Sequence, residues 1–321
     1  MPLDNHVNSI LKLRRAHQFG GAPHKPVLVL AILDLIQNGK ITSLKVTVSG
    51  ELILAFKAIW TTLVTTLHSS NFALPFYHLK SEPFWTLVSR AGKTIPLTSS
   101  HSIKSLAGLK DSVAYALLDL DFFSFCQHAV SREVLRQTLL NAYFPHTKDL
   151  YKTGLYQDLF HQYENLVIEN PVASYVAHQR LDDLLNPEDL EEEQTIRGSL
   201  FKRLVPAKYA YRCAITRMQV TSTSSAVQLV DACHIIPISK AGIDHITNGI
   251  SLSPTVHRAF DRGLITITPD YRVKVSPHLQ EAAGPYALRQ LENHSIALPE
   301  QLKYHPDRDF LAWHGQNPYL A

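Results

Sequence analysis

Cysteine is scarce in this chain. Only Cys126, Cys213 and Cys233 occur among 321 residues, too few and too scattered for a disulfide framework. They read as buried free thiols. Long apolar runs are also missing, none approaching the roughly 20 residues that span a bilayer. The opening MPLDNHVNSILKLRR lacks the positive leader, apolar stretch and small-residue cleavage site of a signal peptide. A protein with no membrane segment, in the cytoplasm, is therefore expected. There is no internal repeat and no low-complexity tract, which excludes a solenoid or a disordered array.

A surplus of one charge is absent overall, with a net of only +3, but its distribution is uneven. Residues 1–160 hold 16 Lys and Arg against 10 Asp and Glu. Residues 161–195 hold 1 against 9, and residues 196–321 hold 14 against 9. Two basic lobes flank an acidic stretch, a layout suited to a polyanion. The length favours two domains over one. The expected division is a first domain over 1–160, an acidic helical linker over 161–195 and a second domain over 196–321. The linker is expected to be exposed, and its charge to keep it off DNA.

In the first lobe, Pro26 suits the first turn of a helix that Gly39 stops. Ser49 is placed to cap the next helix, whose stripe is Leu52, Ala55, Phe56, Ile59, Trp60, Leu63, Val64 and Leu67. Residues 74–79 and 84–88 read together as a short β-ribbon, and 111–145 as helix. Helices followed by a ribbon give a winged-helix-like arrangement, so the fold class is α+β. In the acidic stretch, Asn186 opens a charged helix that runs towards Arg203, with its carboxylates in the first turns where the helix dipole favours them.

The chemistry concentrates in VQLVDACHIIPISKAGIDHITNGISLSPTVHRAFDRGLITIT, from Val227 onward. Residues 227–233 form a β-type run, 240–245 a loop, 249–253 a short second strand, and Pro254 the first turn of a helix. On that helix His257 and Asp261 are four residues apart and share a face. An imidazole and a carboxylate so placed suit a divalent ion. His234, ending the first strand, faces that ion from the opposing wall. Asp231 is a further ligand or a partner that orients one. Neutral His234 would take a proton from water, the ion would stabilise charge on a phosphate, and the Asn248 amide would hold the loop or the base.

His234, Asn248 and His257, set in CHIIPISKAG, NGISLSP and HRAFDRGLITI, resemble the three signature positions of HNH endonucleases. The closer likeness is to bacterial restriction endonucleases with an HIIP…NG…LH..FD.G pattern. LPEQLKYHPDRDFLAWHGQNPYL is similar to the end of that group, so the likeness covers roughly residues 196–321. It implies a ββα-metal fold, with His234 as general base, Asn248 as structural amide, His257 as metal ligand and Asp261 as a second ligand. The implied partner is double-stranded DNA, and the implied ion Mg²⁺ or Mn²⁺, although such sites also accept Zn²⁺, Ni²⁺ or Co²⁺. Cys233 stands where many HNH proteins have a ligating His or Asp, which leaves Asp231 as the substitute. The paired Cys-x-x-Cys motifs of a structural zinc are not formed, since Thr216 occupies the partner position of Cys213. One such site cuts one strand, so double-strand cleavage requires a homodimer or two binding events.

The segments GAPHKPVLVL and LPFYHL…FWTL are similar to N-terminal domains of modification-dependent HNH restriction enzymes, above all those that read phosphorothioate DNA. The likeness covers residues 10–150. It implies a modification reader in which Pro75 and the aromatics Phe76, Tyr77 and Trp85, with His78, form an apolar notch for sulfur. Lys25 or His24 would neutralise the adjacent backbone. A pocket for flipped 5-methylcytosine or 5-hydroxymethylcytosine would need similar aromatics. A catalytically degenerate DNA-binding protein, or a nuclease toxin acting on unmodified nucleic acid, are the readings from other classes.

Overall fold

The computed structural model describes residues 2–95, 103–169, 186–220, 222, 228–240 and 242–320. The described residues fall into two compact units, one within Met1–Gln162 and Asp182–Ile196, the other within Tyr163–Leu181 and Arg197–Ala321.

The first unit is built on helices α1 (Leu3–Leu11), α2 (His24–Gln37), α3 (Gly50–Leu63), α4 (Ala73–His78), α5 (Leu106–Ser112), α6 (Leu120–Gln127) and α7 (Ala129–Tyr143). A small antiparallel sheet accompanies them, strands β1 (Lys45–Val46), β2 (Trp85–Ser89) and β3 (Val113–Leu118) in the order β1-β3-β2. Every residue of α2 from Lys25 to Ile36 is buried, and α3, α4, α6 and α7 pack around it. By length and mean hydropathy Gln18–Gln37 is long and apolar enough to cross a membrane, yet most of it is buried inside the first unit. Burial all round explains its composition, since a helix with neighbours on every side needs no polar face. Its one buried carboxylate, Asp34, accepts from Tyr151 Oη at 2.6 Å and Gly154 N at 3.3 Å, with Arg136 at 3.7 Å. Such partners offset the several kcal/mol, roughly, that an unpaired buried charge would cost.

Ser49 does cap α3, accepting from Leu52 N at 3.2 Å. Two other expectations fail. Residues 73–78 are helix rather than half of a ribbon, because Pro75 sits in a first turn where its missing N–H breaks no bond. Residues 113–118 are strand rather than helix. They form the central strand, pairing with β1 on one side and β2 on the other, and that two-sided ladder overrides a helical reading of VAYALL.

Helices α8 (Tyr156–Ile168) and α9 (Pro187–Lys208) each hold residues of both units. Residues 170–185 of the expected acidic linker lie outside the described residues. The acidic start of α9 is exposed at Pro187 and Glu188 and becomes buried by Glu192. Glu192 is buried and accepts from Phe72 N at 2.9 Å, with Lys57 Nζ at 3.1 Å. Glu188 accepts from Asn71 Nδ2 at 2.7 Å. These carboxylates thus bond to the start of α4 and to the residue before it.

In the second unit β4 (Asp231–His234) pairs antiparallel with β5 (Gly249–Leu252), and α10 (Pro254–Asp261) follows at once. Pro254 begins α10 in its first turn, as expected. A second hairpin, β6 (Ile265–Ile267) with β7 (Val273–Val275), and α11 (Arg308–Gln316) complete the unit. Phe201, Val205, Ile250, Leu252, Phe260 and Leu311 are buried here and hold the strand–strand–helix unit in place.

Candidate active site

The β4–β5 ladder sets the site. Asp231 pairs with Leu252, Cys233 with Ile250 and His234 with Gly249. Strand alternation places Asp231 and Cys233 on one face and His234 on the other. The first pair meets α10. His257 Nδ1 lies 3.4 Å from Asp231 Oδ2, and His257 Nε2 lies 3.4 Å from Asp261 Oδ2. Cys233 Sγ lies 3.8 Å from Asp261 Oδ1. The strand thus brings Asp231 and Cys233 together with the His257–Asp261 pair of α10.

His234 is held differently. Its Nε2 is 2.9 Å from Asp244 Oδ1, and its ring stacks on Phe201 with centroids 3.9 Å apart and planes 4° from parallel. A carboxylate accepts, so Nε2 carries the proton and the lone pair of the neutral ring falls on Nδ1. Nδ1 has no hydrogen-bond partner among the described residues. Neither Asp244 nor Phe201 is named by the sequence pattern. Asp244 is a carboxylate in the loop between His234 and Asn248, a signal that could have been weighed. Phe201 comes from α9, far back in the chain, and leaves no local signal.

Asn248 is fully buried and uses its whole amide. Its Oδ1 accepts from Ile236 N at 2.9 Å, while Nδ2 donates to Ile236 O and Ile243 O, both at 3.0 Å. Those bonds tie both ends of the loop after β4, the loop that carries Asp244. The side chain acts on the loop and makes no bond to the His234 ring.

The donor set fits a divalent ion. One atom each from Cys233, His257 and Asp261 lies within 4.8 Å of the others. A buried thiol, a half-buried imidazole and an exposed carboxylate here span two elements fixed by the ladder and one helical turn. Asp231 is not in that trio. It faces the far nitrogen of His257, the arrangement by which a carboxylate fixes the ring of a ligating histidine.

The first unit holds a separate cavity of about 550 Å³, lined in part by Arg14, Arg15, His24, Lys25, His78 and Lys80, with Leu74 and Pro75 as an apolar wall. His24, Lys25, Pro75 and His78 therefore come together as the sequence grouped them. Phe76, Tyr77 and Trp85 do not. They are 0%, 1% and 2% exposed and belong to the core, where Trp85 Nε1 donates to Phe76 O at 3.0 Å. Phe76 and Tyr77 anchor the short helix α4, and Trp85 of β2 packs edge-on against Phe76. The expected charges also differ. Lys25 is buried against Glu82, so its ammonium is already paired. Burial pushes the His24 imidazole down to about 4, leaving it neutral, with Nε2 bonded to Ser69 O at 2.9 Å. Arg14, Arg15 and Lys80, which the sequence reading passed over, carry the positive charge of the wall.

Residues 213–268 match the family model described as HNH endonuclease. No curated protein matches the chain. Among solved structures, the modification dependent TagI restriction endonuclease aligns at 21% identity and a TM-score of 0.31, over 39% of this chain and 40% of that one. The chain thus spans less than half of that structure's length. The Type IV phosphorothioation-dependent restriction endonuclease ScoMcrA aligns at 10% identity and a TM-score of 0.33, over 79% of this chain and 93% of the other. The family match begins at Cys213, ends at Thr268, and takes in His234, Asn248, His257 and Asp261 together with the strands and helix that present them: the second unit carries an HNH endonuclease domain.

Proposed function

We propose that the protein is a modification-dependent restriction endonuclease. The HNH domain hydrolyses DNA phosphodiester bonds and the first unit reads a phosphorothioate in the backbone. The observations that support the catalytic half are the His234–Asp244 pair stacked on Phe201 and the Cys233–His257–Asp261 donor cluster, both presented by the β4–β5–α10 unit. A divalent ion at His257 and Asp261 would supply stabilisation of the negative charge that develops on the phosphate and the leaving oxygen. The chain's own residues do the proton work. His234 Nδ1 accepts the proton of the attacking water, and the Asp244 carboxylate stabilises the imidazolium that results. Phe201 fixes the plane of the ring. Asn248 holds the loop that brings Asp244 to Nε2. Each such centre cleaves one strand, and two copies or two binding events complete a double-strand cut.

Asp244 is a positioning residue in this scheme, and Asp244→Asn tests it. An amide can present its NH₂ to Nε2 and stabilise the tautomer with the proton on Nδ1, the wrong one for a base. The expected result is a fall in kcat of roughly 10²-fold, with KM, DNA affinity and melting temperature unchanged. A fall in affinity or melting temperature that accounts for the lost rate would make Asp244 merely structural.

The reading of the first unit rests on the lining of its cavity. Sulfur in place of a phosphate oxygen is larger and less hydrated, so it gains from an apolar wall beside cationic groups. Leu74 and Pro75 offer the wall, and Arg14, Arg15 and Lys80 the charge. A flipped base calls for aromatic stacking, yet the lining residues include no Phe, Tyr or Trp. The test is a panel of matched duplexes, unmodified, phosphorothioate, 5-methylcytosine and 5-hydroxymethylcytosine, offered with Mn²⁺ and Co²⁺ in turn. Cleavage confined to the phosphorothioate duplex is expected. Equal cleavage of the unmodified duplex overturns modification dependence, and binding without any cleavage marks a degenerate site.

A further inference from the structure

Cys233 is the residue that the HNH reading leaves unused. A buried cysteine ordinarily packs as a small hydrophobe. This one is wholly buried, yet its Sγ faces a carboxylate at 3.8 Å and the carbonyl of His234 at 3.6 Å. It also completes the cluster with His257 and Asp261. We propose that Cys233 is a thiolate ligand of the HNH ion, forming with His257 and Asp261 a sulfur–nitrogen–oxygen site that selects thiophilic ions of the zinc and cobalt class over magnesium. This rests on the metal-assisted reading above and assigns the ion that it uses.

The distances support the assignment. Tetrahedral bonds of the usual Zn–S, Zn–N and Zn–O lengths place a nitrogen and an oxygen about 3.4 Å apart, and a sulfur and an oxygen about 3.5 Å apart. The chain already sets His257 Nε2 at 3.4 Å from one Asp261 oxygen and Cys233 Sγ at 3.8 Å from the other. A turn of that one carboxylate brings a single oxygen to both. Cys233 Sγ and a ring nitrogen of His257 also lie within 4.8 Å of one another, so the trio closes on an ion by side-chain rotation, with the backbone held by the ladder and the helical turn. His257 is half-buried and Asp261 exposed, so the cluster is open to solvent on their side.

Chemistry points the same way. Magnesium demands an octahedral shell of oxygens and takes sulfur poorly, whereas zinc and cobalt accept thiolate, imidazole and carboxylate together. Coordination breaks the S–H bond heterolytically, forms the sulfur–metal bond and releases the proton to solvent, with no change of oxidation state. Asp231, expected from the sequence as a ligand, then acts through His257. Its carboxylate at Nδ1 holds the proton there and leaves Nε2 to the ion.

The full chain, stripped with chelator, is titrated with Co²⁺ and followed by equilibrium dialysis and absorption. The expected result is one bound ion per chain with a near-ultraviolet thiolate-to-cobalt charge-transfer band. The band persists when Cys126 and Cys213 are both replaced by Ser, and it disappears in Cys233→Ser. Cobalt affinity in that variant falls roughly 10²-fold or more, while Mg²⁺ affinity stays within a few-fold. Stoichiometric cobalt without the band overturns the thiolate assignment and leaves the metal-assisted nuclease standing. No bound cobalt at all overturns both. Because the band is read on the native chain and on the Cys126/Cys213 variant, a Cys233→Ser protein that fails to fold does not stop the test.

Discussion

His234→Ala is expected to lower single-turnover DNA cleavage by about 10³-fold while DNA affinity stays within a factor of two to three. The side chain is placed for proton transfer and little else. Its Nε2 is committed to Asp244, its ring face to Phe201, and Nδ1 is left to receive a proton. Affinity is expected to come from cationic contacts to the phosphates, which this substitution does not touch. A stability cost is expected too. Asp244 is mostly buried and loses its partner, which should cost about 1–3 kcal/mol. Cleavage is therefore measured well below the melting temperature of the variant. Loss of DNA binding in a folded His234→Ala protein would sink the assignment, because a general base does not hold the duplex.

Gly249→Ala is expected to damage both stability and rate, through one added methyl group. A Cβ there would stand 2.4 Å from Val205 Cγ2 and 2.9 Å from the Phe201 ring. Those atoms belong to buried side chains of α9 and cannot swing into solvent. Overpacking of this kind costs about 1–3 kcal/mol. Phe201 is the ring under His234, and Gly249 is the ladder partner of His234. Displacing Phe201 removes the stack that fixes the base. The expected outcome is a melting midpoint several degrees lower, with cleavage reduced further than the unfolded fraction explains. An unchanged midpoint would show that α9 yields freely, and the stack on His234 would then have no mechanical role.

The parts of the site that were legible are those that lie close together in the chain. His257 and Asp261 share a helical face by their spacing, and the strand–loop–strand–helix order followed from the β-type run 227–233, Gly249 and Pro254. What was not legible depends on contacts across the fold. Phe201 reaches His234 from α9, and nothing in its own neighbourhood marks it. Cys233 read as a lost ligand because a family pattern has another residue there, whereas its position on the strand face puts it back among the donors. In the first unit, Phe76, Tyr77 and Trp85 read as a notch because aromatic clusters serve pockets and cores alike. Burial decides between those uses, and it depends on the helices packed above them. Residues 113–118 misled for a related reason, since the ladders on both sides of that strand come from Lys45–Val46 and Trp85–Ser89.

The complete use of the Asn248 amide has a chemical consequence of its own. Asn248 is followed by Gly249, a pairing in which the next backbone nitrogen is least hindered from attacking the side-chain carbonyl and expelling ammonia. In the fold that carbonyl is held to Ile236 N and the amide nitrogen to two carbonyls, so the attack geometry is withheld. Unfolded chain has no such protection. Each interval spent unfolded converts some Asn248 to a carboxylate, which has no donor for Ile236 O or Ile243 O and repels both. Heat inactivation is thus expected to acquire an irreversible component that grows with time above the transition.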